Sequence, residues 1–135
     1  QVDDKPWDYQ LLTTGRHFRF DDATKVILGR DQDENRQLHY LHEMEGSSSR
    51  VMLDPENFKG PTGLVTGPAS DEAVDFAGGV ILRYSSPRHE GPYRVQVTED
   101  EQARLIEVQI GERVEQAQTI SMQYTPPPRS GKPGR

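Results

Sequence analysis

The stretch from residue 15 to residue 35 constrains the fold more than any other part of this sequence. Two short runs rich in strand-forming residues, at 17–20 and 25–28, are joined by Asp21-Asp22-Ala23-Thr24, a polar connection that suits a hairpin turn. The second run leads into an acidic segment in which Asp31 can cap a helix. We therefore predict a β-hairpin followed directly by a helix.

This hairpin is cationic although the chain as a whole is acidic. Basic or histidine side chains lie on or beside its strands at Arg16, His17, Arg19, Lys25 and Arg30. The chain has 22 Asp and Glu against 16 Lys and Arg, for a net charge of −6, which argues against broad, non-specific nucleic-acid binding. The acidity is local, because residues 31–60 hold seven acids and three bases whereas residues 1–30 hold five of each. The net negative charge therefore does not exclude a small basic patch on the hairpin.

Two helices are predicted from apolar spacing. In the first, Leu38, Leu41 and Met44 form the buried stripe with Tyr40 at its margin. The second begins at Ser70 as N-cap, and its apolar positions are Ala73, Ala77, Val80, Ile81 and Tyr84. Gly78-Gly79 inside this helix costs about 1 kcal/mol per glycine relative to alanine, which predicts close backbone packing against the sheet.

The remaining segments favour strands. Short apolar runs occur at 50–53 and 64–66, and beyond residue 92 the apolar residues alternate in three runs. Their apolar positions are Tyr93, Val95 and Val97; Ile106, Val108 and Ile110; and Ile120, Met122 and Tyr124. We expect an antiparallel meander that turns at residues 99–101 and around Gly111. The predicted class is α+β, with a largely antiparallel mixed sheet and both helices packed on one face.

Composition gives the domain organisation. We expect an N-terminal arm or linker at 1–14, one folded domain at 15–124 and a disordered Pro/Gly-rich tail at 125–135. The chain begins with Gln rather than Met and lacks a signal-like apolar run, as expected of a fragment of a longer protein. It has no cysteine, which excludes disulfides and cysteine zinc sites and fits a cytoplasmic protein. No stretch approaches the ~20 apolar residues of a membrane span.

Several motifs together resemble the NFACT-R-like domain. They are Gly-Arg-His-Phe-Arg-Phe at 15–20, Lys-Val-Ile-Leu-Gly-Arg-Asp at 25–31 with Glu34-Asn35, Gly60-Pro61-Thr62, and Leu-Arg-Tyr-Ser at 82–85. The resemblance runs in order from about Leu12 to Tyr124, and the first motif pair is its most specific part. The form that this chain resembles is attached to the C-terminus of predicted PP-loop ATPases related to tRNA thiouridine synthetases. The resemblance implies an accessory domain that binds tRNA or another structured RNA beside a tRNA-thiolating enzyme.

The chain departs from an enzyme of that kind in two ways. It contains no Ser-Gly-Gly-x-x-Ser phosphate loop and no cysteine that can carry a persulfide. We therefore expect no catalysis and no cofactor in this fragment itself. The resemblance places ATP and Mg²⁺ in a catalytic domain preceding it, in a PP-loop tRNA sulfurtransferase.

On this interpretation the RNA contacts come from the hairpin and two neighbouring segments. Arginine can bind phosphate through two parallel hydrogen bonds, and histidine can stack on an unpaired base. Asn35 can read a base edge, while Lys59 and the 60–62 turn offer a charge and backbone donors. The candidate RNA-binding residues are Arg16, His17, Arg19, Lys25, Arg30, Asn35, Lys59 and Thr62.

Alternative interpretations remain open. The hairpin cations are also ordinary cross-strand partners for Asp21 and Asp22, and Asp31 and Asn35 can serve only as helix caps. Phe18 fits the core better than a stacking surface. The domain can instead be a protein-interaction or intramolecular docking module, which predicts an exposed apolar patch and no RNA affinity.

A metal-dependent enzyme is the third hypothesis. His39 and His42 lie at i and i+3 on one flank of the first helix, and a third ligand from elsewhere would complete a divalent metal site. The pair does not match either zincin pattern. The helical wheel places both histidines beside the apolar stripe rather than in it, so a solvated helix flank explains them better than a metal site does.

Overall fold

The computed structural model describes residues 14–43 and 49–120. The strands are β1 (Arg16–Arg19), β2 (Lys25–Leu28), β3 (Ser49–Pro55), β4 (Gly63–Thr66), β5 (Tyr93–Glu99) and β6 (Gln102–Val108). The helices are α1 (Gln32–Glu43), α2 (Asp71–Arg83) and α3 (Glu112–Gln116). The six strands form one antiparallel sheet in the order β1-β2-β4-β3-β5-β6, so the predicted α+β class is confirmed.

The opening hairpin forms as predicted. Arg16 pairs with Leu28 at one end of the hairpin and Arg19 with Lys25 at the other. Asp21 stabilises the turn between them, because its Oδ1 accepts hydrogen bonds of 2.9 Å from the backbone N–H groups of residues 23 and 24. The polar turn residues thus satisfy backbone donors that the strands leave open.

Helix α1 starts where the sequence predicted. Oδ1 of Asp31 accepts the backbone N–H of Glu34 at 2.9 Å, which satisfies one of the open donors of the first turn. Leu38 and Leu41 are buried, and Tyr40 is 58% exposed. Met44, the third expected member of the apolar stripe, lies outside the described residues.

The two long helices lie on opposite faces of the sheet, so the prediction that both pack on one face is wrong. On β2, Val26 and Leu28 belong to the cluster that contains the α2 side chains, whereas Ile27 belongs to the cluster of Leu38 and Leu41 on α1. Strands β3 and β4 divide their side chains in the same way. Successive residues of a strand point to opposite faces, and these central strands are apolar at both sets of positions. Such runs are typical of a sheet covered on both sides.

Helix α2 confirms both its predicted cap and its predicted glycine packing. The Ser70 side chain accepts the backbone N–H of Ala73 at 3.1 Å. A Cβ on Gly78 would lie 2.4 Å from Val108 Cγ1, and a Cβ on Gly79 would lie 2.7 Å from Val114 Cγ2. The two glycines therefore let α2 approach both β6 and α3.

The end of the domain differs from the predicted three-stranded meander. Strands β5 and β6 form and turn at Asp100, which has φ 57°. After β6 the chain enters α3, because Val114 packs into the space beside Gly79. Ile110 is 41% exposed, and Ile120 forms a single antiparallel bridge to His17. Met122 and Tyr124 lie outside the described residues.

The predicted terminal segments fall almost entirely outside the described part of the chain. Of the arm at 1–14 the structure describes Thr14 alone, and of the tail at 125–135 it describes nothing. Within residues 14–43 and 49–120, none of the helices has the length and apolar character needed to cross a lipid bilayer.

Candidate nucleic-acid interface

A cleft of about 390 Å³ opens where the start of β1, the start of α1 and the turn before β4 meet. We call this cleft the notch. Its lining includes Arg16, Arg30, Asn35, Lys59, Gly60 and Tyr84. Four of the eight candidate RNA-binding residues therefore converge there, although Lys59 is separated from Arg16 by more than forty positions in the sequence.

The ring of Tyr84 holds Arg16 in place. The Cζ of Arg16 lies 5.0 Å from the centroid of the Tyr84 ring, and the Cζ of Arg83 lies 5.3 Å from it. Arg83 is itself fixed, since it donates to the carbonyl oxygens of Val114 and Ala117 at 2.9 and 2.6 Å. The described residues include no carboxylate within ion-pair distance of Arg16. Arg16 is therefore held by ring stacking and keeps its full charge for a ligand.

Arg30 is held in a different way. Its Nε lies 2.9 Å from Oε1 of Glu34 and its Nη2 lies 2.5 Å from Oε2, a two-point ion pair. The hydrogen bond from the Arg30 side chain is the main cause that lowers the pKa of Glu34 to about 2, and the same pairing raises the pKa of Arg30. The backbone N–H groups of Arg30 and Gly15 also stabilise the Glu34 carboxylate. Arg30 is thus a positioned donor whose charge is balanced by its partner.

Asn35 ties the helix to the turn that precedes β4. Its Oδ1 accepts the backbone N–H of Thr62 at 3.1 Å, and the backbone N–H of Gly29 donates to the Thr62 carbonyl at 3.0 Å. A Cβ on Gly29 would lie 2.1 Å from Oδ1 of Asn35. These contacts fix one wall of the notch. None of them uses the N–H donors of the Asn35 Nδ2 group.

Arg19 and Lys25 lie at the other end of the hairpin. Arg19 is separated from Arg16 by three positions of a strand, so the two side chains point to opposite faces as well as lying at opposite ends. Arg19 donates to the carbonyl oxygens of Asp21 and Asp22 at 3.2 Å. Lys25 is half-buried, and burial, followed by the charge of Arg19, lowers its pKa. The small basic patch predicted on the hairpin is therefore divided, because Arg19 does not share a face with Arg16.

His17 and Thr62 are buried, with 2% and 4% of their surface exposed. Nε2 of His17 lies 3.1 Å from the carbonyl oxygen of Thr14, and the Thr62 hydroxyl donates to Oδ1 of Asp54 at 2.6 Å. With β1 and β4 in place, these two side chains have almost no surface to offer an RNA. Phe18 is fully buried in the core, as predicted.

The histidine pair on α1 is engaged with protein groups. Nε2 of His39 lies 3.1 Å from Oδ1 of Asp54, and burial lowers the pKa of His42. Across residues 14–43 and 49–120, no group of three His, Cys, Asp or Glu side chains has an arrangement that can hold a metal ion. The described residues therefore give the metal hypothesis no third ligand.

Tyr84 is the site residue that sequence reasoning missed. It was assigned to the apolar face of α2, but it stands at the C-cap of that helix and lines the notch. The local pattern gives no signal for this, because its partner Arg16 lies on a strand far away in the sequence. The Leu-Arg-Tyr-Ser motif at 82–85 marks the position without revealing its role.

Comparison with known proteins places this geometry in context. The fold is similar to the structure of the C-terminal of the fibronectin/fibrinogen-binding protein from Streptococcus suis, with a TM-score of 0.59 and 14% sequence identity. The alignment covers 84% of this chain and 49% of that chain, so the present chain spans about half of its length. No curated protein matches the sequence.

A family model gives the decisive match. The model described as NFACT protein RNA binding domain matches residues 15–125, which is most of the chain and includes the whole notch. A match of this extent supports an RNA-binding role. The chain therefore belongs to the NFACT RNA-binding domain family.

Proposed function

We propose that this domain binds RNA through the notch. The observation that carries the proposal is the meeting of two cations, Arg16 and Lys59, at one concavity of an acidic chain. Neither has a carboxylate partner within ion-pair distance among the described residues. Unpaired basic groups are the ones that gain most from an incoming phosphate, because no internal ion pair has to be broken.

The charges at the notch set the expected salt dependence. Arg16 and Lys59 act as net charges, while Arg30 contributes hydrogen-bond donors with its charge balanced by Glu34. For single-stranded RNA the logarithm of affinity falls with the logarithm of salt concentration by about 0.7 per neutralised phosphate. We expect a slope of roughly −1.4 from this pair, which is shallow compared with that of a strongly basic RNA binder.

The wider context is also a proposal. We infer that the RNA is tRNA and that the domain serves an ATP-dependent enzyme that thiolates it in the cytoplasm. ATP and Mg²⁺ belong in this scheme to a separate PP-loop catalytic domain, and the present chain is an accessory without catalysis of its own. The motifs shared with the NFACT-R-like domains of such enzymes support this context.

The first experiment measures binding of bulk tRNA in about 50 and 200 mM salt. The test variant is Arg16→Gln with Lys59→Gln, and the control is Arg36→Gln with Arg104→Gln, which removes two cations that already have carboxylate partners. We expect the test variant to bind about tenfold more weakly with a flatter salt slope, and the control to bind like the wild type. Equal losses in the two variants would contradict a role for the notch.

An intramolecular docking module is the second candidate. Leu105 is 51% exposed on β6, which is an edge strand of the sheet, and exposed apolar residues at a sheet edge favour protein contacts. This candidate predicts no tRNA binding by the wild-type chain in either salt. It also predicts that Leu105→Asp releases the domain from the rest of a parent protein.

The thiolation context has its own test. Cells whose parent enzyme lacks this domain should contain less thiouridine in their tRNA, as measured by mass spectrometry of nucleosides. An unchanged thiouridine content would remove the proposed context and leave RNA binding by the domain intact.

A further inference from the structure

We propose that the notch accepts one unpaired ribonucleotide, with its phosphate on Arg16 and Lys59 and its base on the Arg16–Tyr84 stack. This inference rests on the proposed RNA-binding function and specifies the ligand of the same site. It predicts that the domain recognises a single extruded or terminal nucleotide and does not attach along an RNA duplex.

The size of the notch is the first argument. Its volume of about 390 Å³ falls within the roughly 300–1,000 Å³ of clefts that enclose small molecules. An RNA duplex presents a broad convex backbone and touches proteins across its shallow groove or along its phosphates. A concavity of this size matches one nucleotide better than a helical surface.

The distribution of donors and acceptors is the second argument. Of the five N–H donors of Arg30, Glu34 engages one on Nε and one on Nη2, so three are not used by that contact. Arg16, Lys59 and the Nδ2 group of Asn35 add further donors. Among the described residues that line the notch, Asp31 supplies the only carboxylate, and its Oδ1 already accepts a backbone N–H of α1. A lining so rich in donors favours an anionic, acceptor-rich ligand such as phosphate.

The Arg16–Tyr84 stack is the third argument, and it distinguishes a nucleotide from a bare phosphate. The guanidinium of Arg16 lies over the ring at 5.0 Å, and an edge-on contact with Phe18 at 5.5 Å supports that ring from the core. Unpaired bases stack on aromatic rings and on arginine planes. The stack gives the base a rigid platform at the edge of the phosphate site that Arg16 forms with Lys59.

The test is a titration of the full 135-residue chain, followed by backbone amide NMR, with adenosine 5′-monophosphate, adenosine and inorganic phosphate. We expect the mononucleotide to shift the amides of the notch and to bind about tenfold or more tightly than either fragment, because base stacking and phosphate contacts add. The same mononucleotide should compete with unpaired RNA. Arg16→Gln should abolish these shifts, and Arg104→Gln, at a distant ion pair, should not.

The outcomes separate this inference from the proposed function. Equal binding of duplex and single-stranded RNA without competition by the mononucleotide would overturn the inference and leave RNA binding established. Equal affinity for phosphate and mononucleotide would overturn the role of the stack, and with it the inference. Absence of any RNA binding would overturn both, whereas competition that depends on Arg16 would support both.

Discussion

A pair of cations lies at each end of the β1–β2 hairpin, in different surroundings. At the notch end, Arg16 stacks on Tyr84 and Lys59 approaches from another segment of the chain. At the turn end, Arg19 donates to backbone carbonyl groups, and the charge on Lys25 is disfavoured by burial. Two pairs of cations with the same formal charge therefore differ in what they offer a phosphate.

The difference shows that residue type alone does not make an anion site. A cation contributes when its donors are positioned and not yet satisfied, and when other donors converge on the same point. The notch end meets these conditions because α1, β1 and the turn before β4 meet there. At the turn end, Arg19 already donates to carbonyl groups of its own hairpin and Lys25 is half-buried.

The largest effect is expected at the glycine that positions the notch end. Gly15 has φ 79°, and a Cβ there would lie 2.4 Å from the Leu28 carbonyl oxygen. Gly15→Ala should lower the free energy of unfolding by about 3 kcal/mol in urea denaturation and weaken RNA binding by displacing Arg16. Gly111→Ala, where nothing lies within 4 Å of the added carbon, should cost less than about 1 kcal/mol. Equal losses would show that the backbone at Gly15 is not constrained.

The next effect concerns the ion pair at the notch end. The pKa of Glu34 falls from 4.5 to about 2 on folding, mainly through the side-chain hydrogen bond from Arg30. The resulting stabilisation is full above pH 4.5 and is lost as the pH falls through about 2. Because this pair is partly solvent-exposed, we expect about 1–2 kcal/mol.

Glu34→Gln tests this assignment through acid unfolding followed by circular dichroism. The variant should be less stable at neutral pH and lose less stability between pH 4.5 and 2 than the wild type. Asp33→Asn breaks an ion pair with Arg36 on the exposed surface. This variant should lose nearly as much stability between pH 4.5 and 2 as the wild type does. If Glu34→Gln lost as much stability between pH 4.5 and 2 as the wild type, the lowered pKa would not belong to the Glu34 carboxyl.

A smaller effect is expected at the turn end, in the titration of Lys25. Burial is the main cause that lowers its pKa below 10.5, and the nearby charge of Arg19 adds to the shift. Arg19→Gln should therefore raise the pKa of Lys25, measured by NMR of its Cε and Nζ signals, without restoring 10.5. Because the folded state holds this proton more weakly, stability should rise with pH as 10.5 is approached from below. A pKa above 10.5 would mean that Lys25 has a carboxylate partner.

The smallest effect is the one that tests the comparison most directly. Arg19→Gln with Lys25→Gln removes as much charge as the double variant at the notch end. We expect tRNA affinity to stay within about twofold of the wild type, since only long-range attraction is lost. A loss equal to that of Arg16→Gln with Lys59→Gln would show that the whole hairpin binds RNA and would remove the distinction between its ends.

The sequence predicted local features well and their arrangement in space less well. The turn at Asp21, the caps at Asp31 and Ser70, and the close packing of Gly78 and Gly79 follow from short-range chemistry, and the structure confirms them. The predicted pairing of the first two strands of the meander is confirmed by β5 and β6. The turn predicted around Gly111 is wrong, because alternation at residues 106–110 does not reveal that α3 follows and fills the space beside Gly79. Local sequence patterns do not reveal an element, such as α3, that forms by packing against a surface far away in the sequence.

What the sequence determined by itself is the set of elements, their local signals and the likeness to the NFACT RNA-binding domains, because these depend on neighbouring residues and on motifs in order. What only the tertiary structure decided is which charged groups meet. The sheet carries α1 on the face opposite α2, and the end of α2 brings Tyr84 beneath Arg16. Convergence of this kind depends on packing between segments far apart in the chain, and no local pattern encodes it.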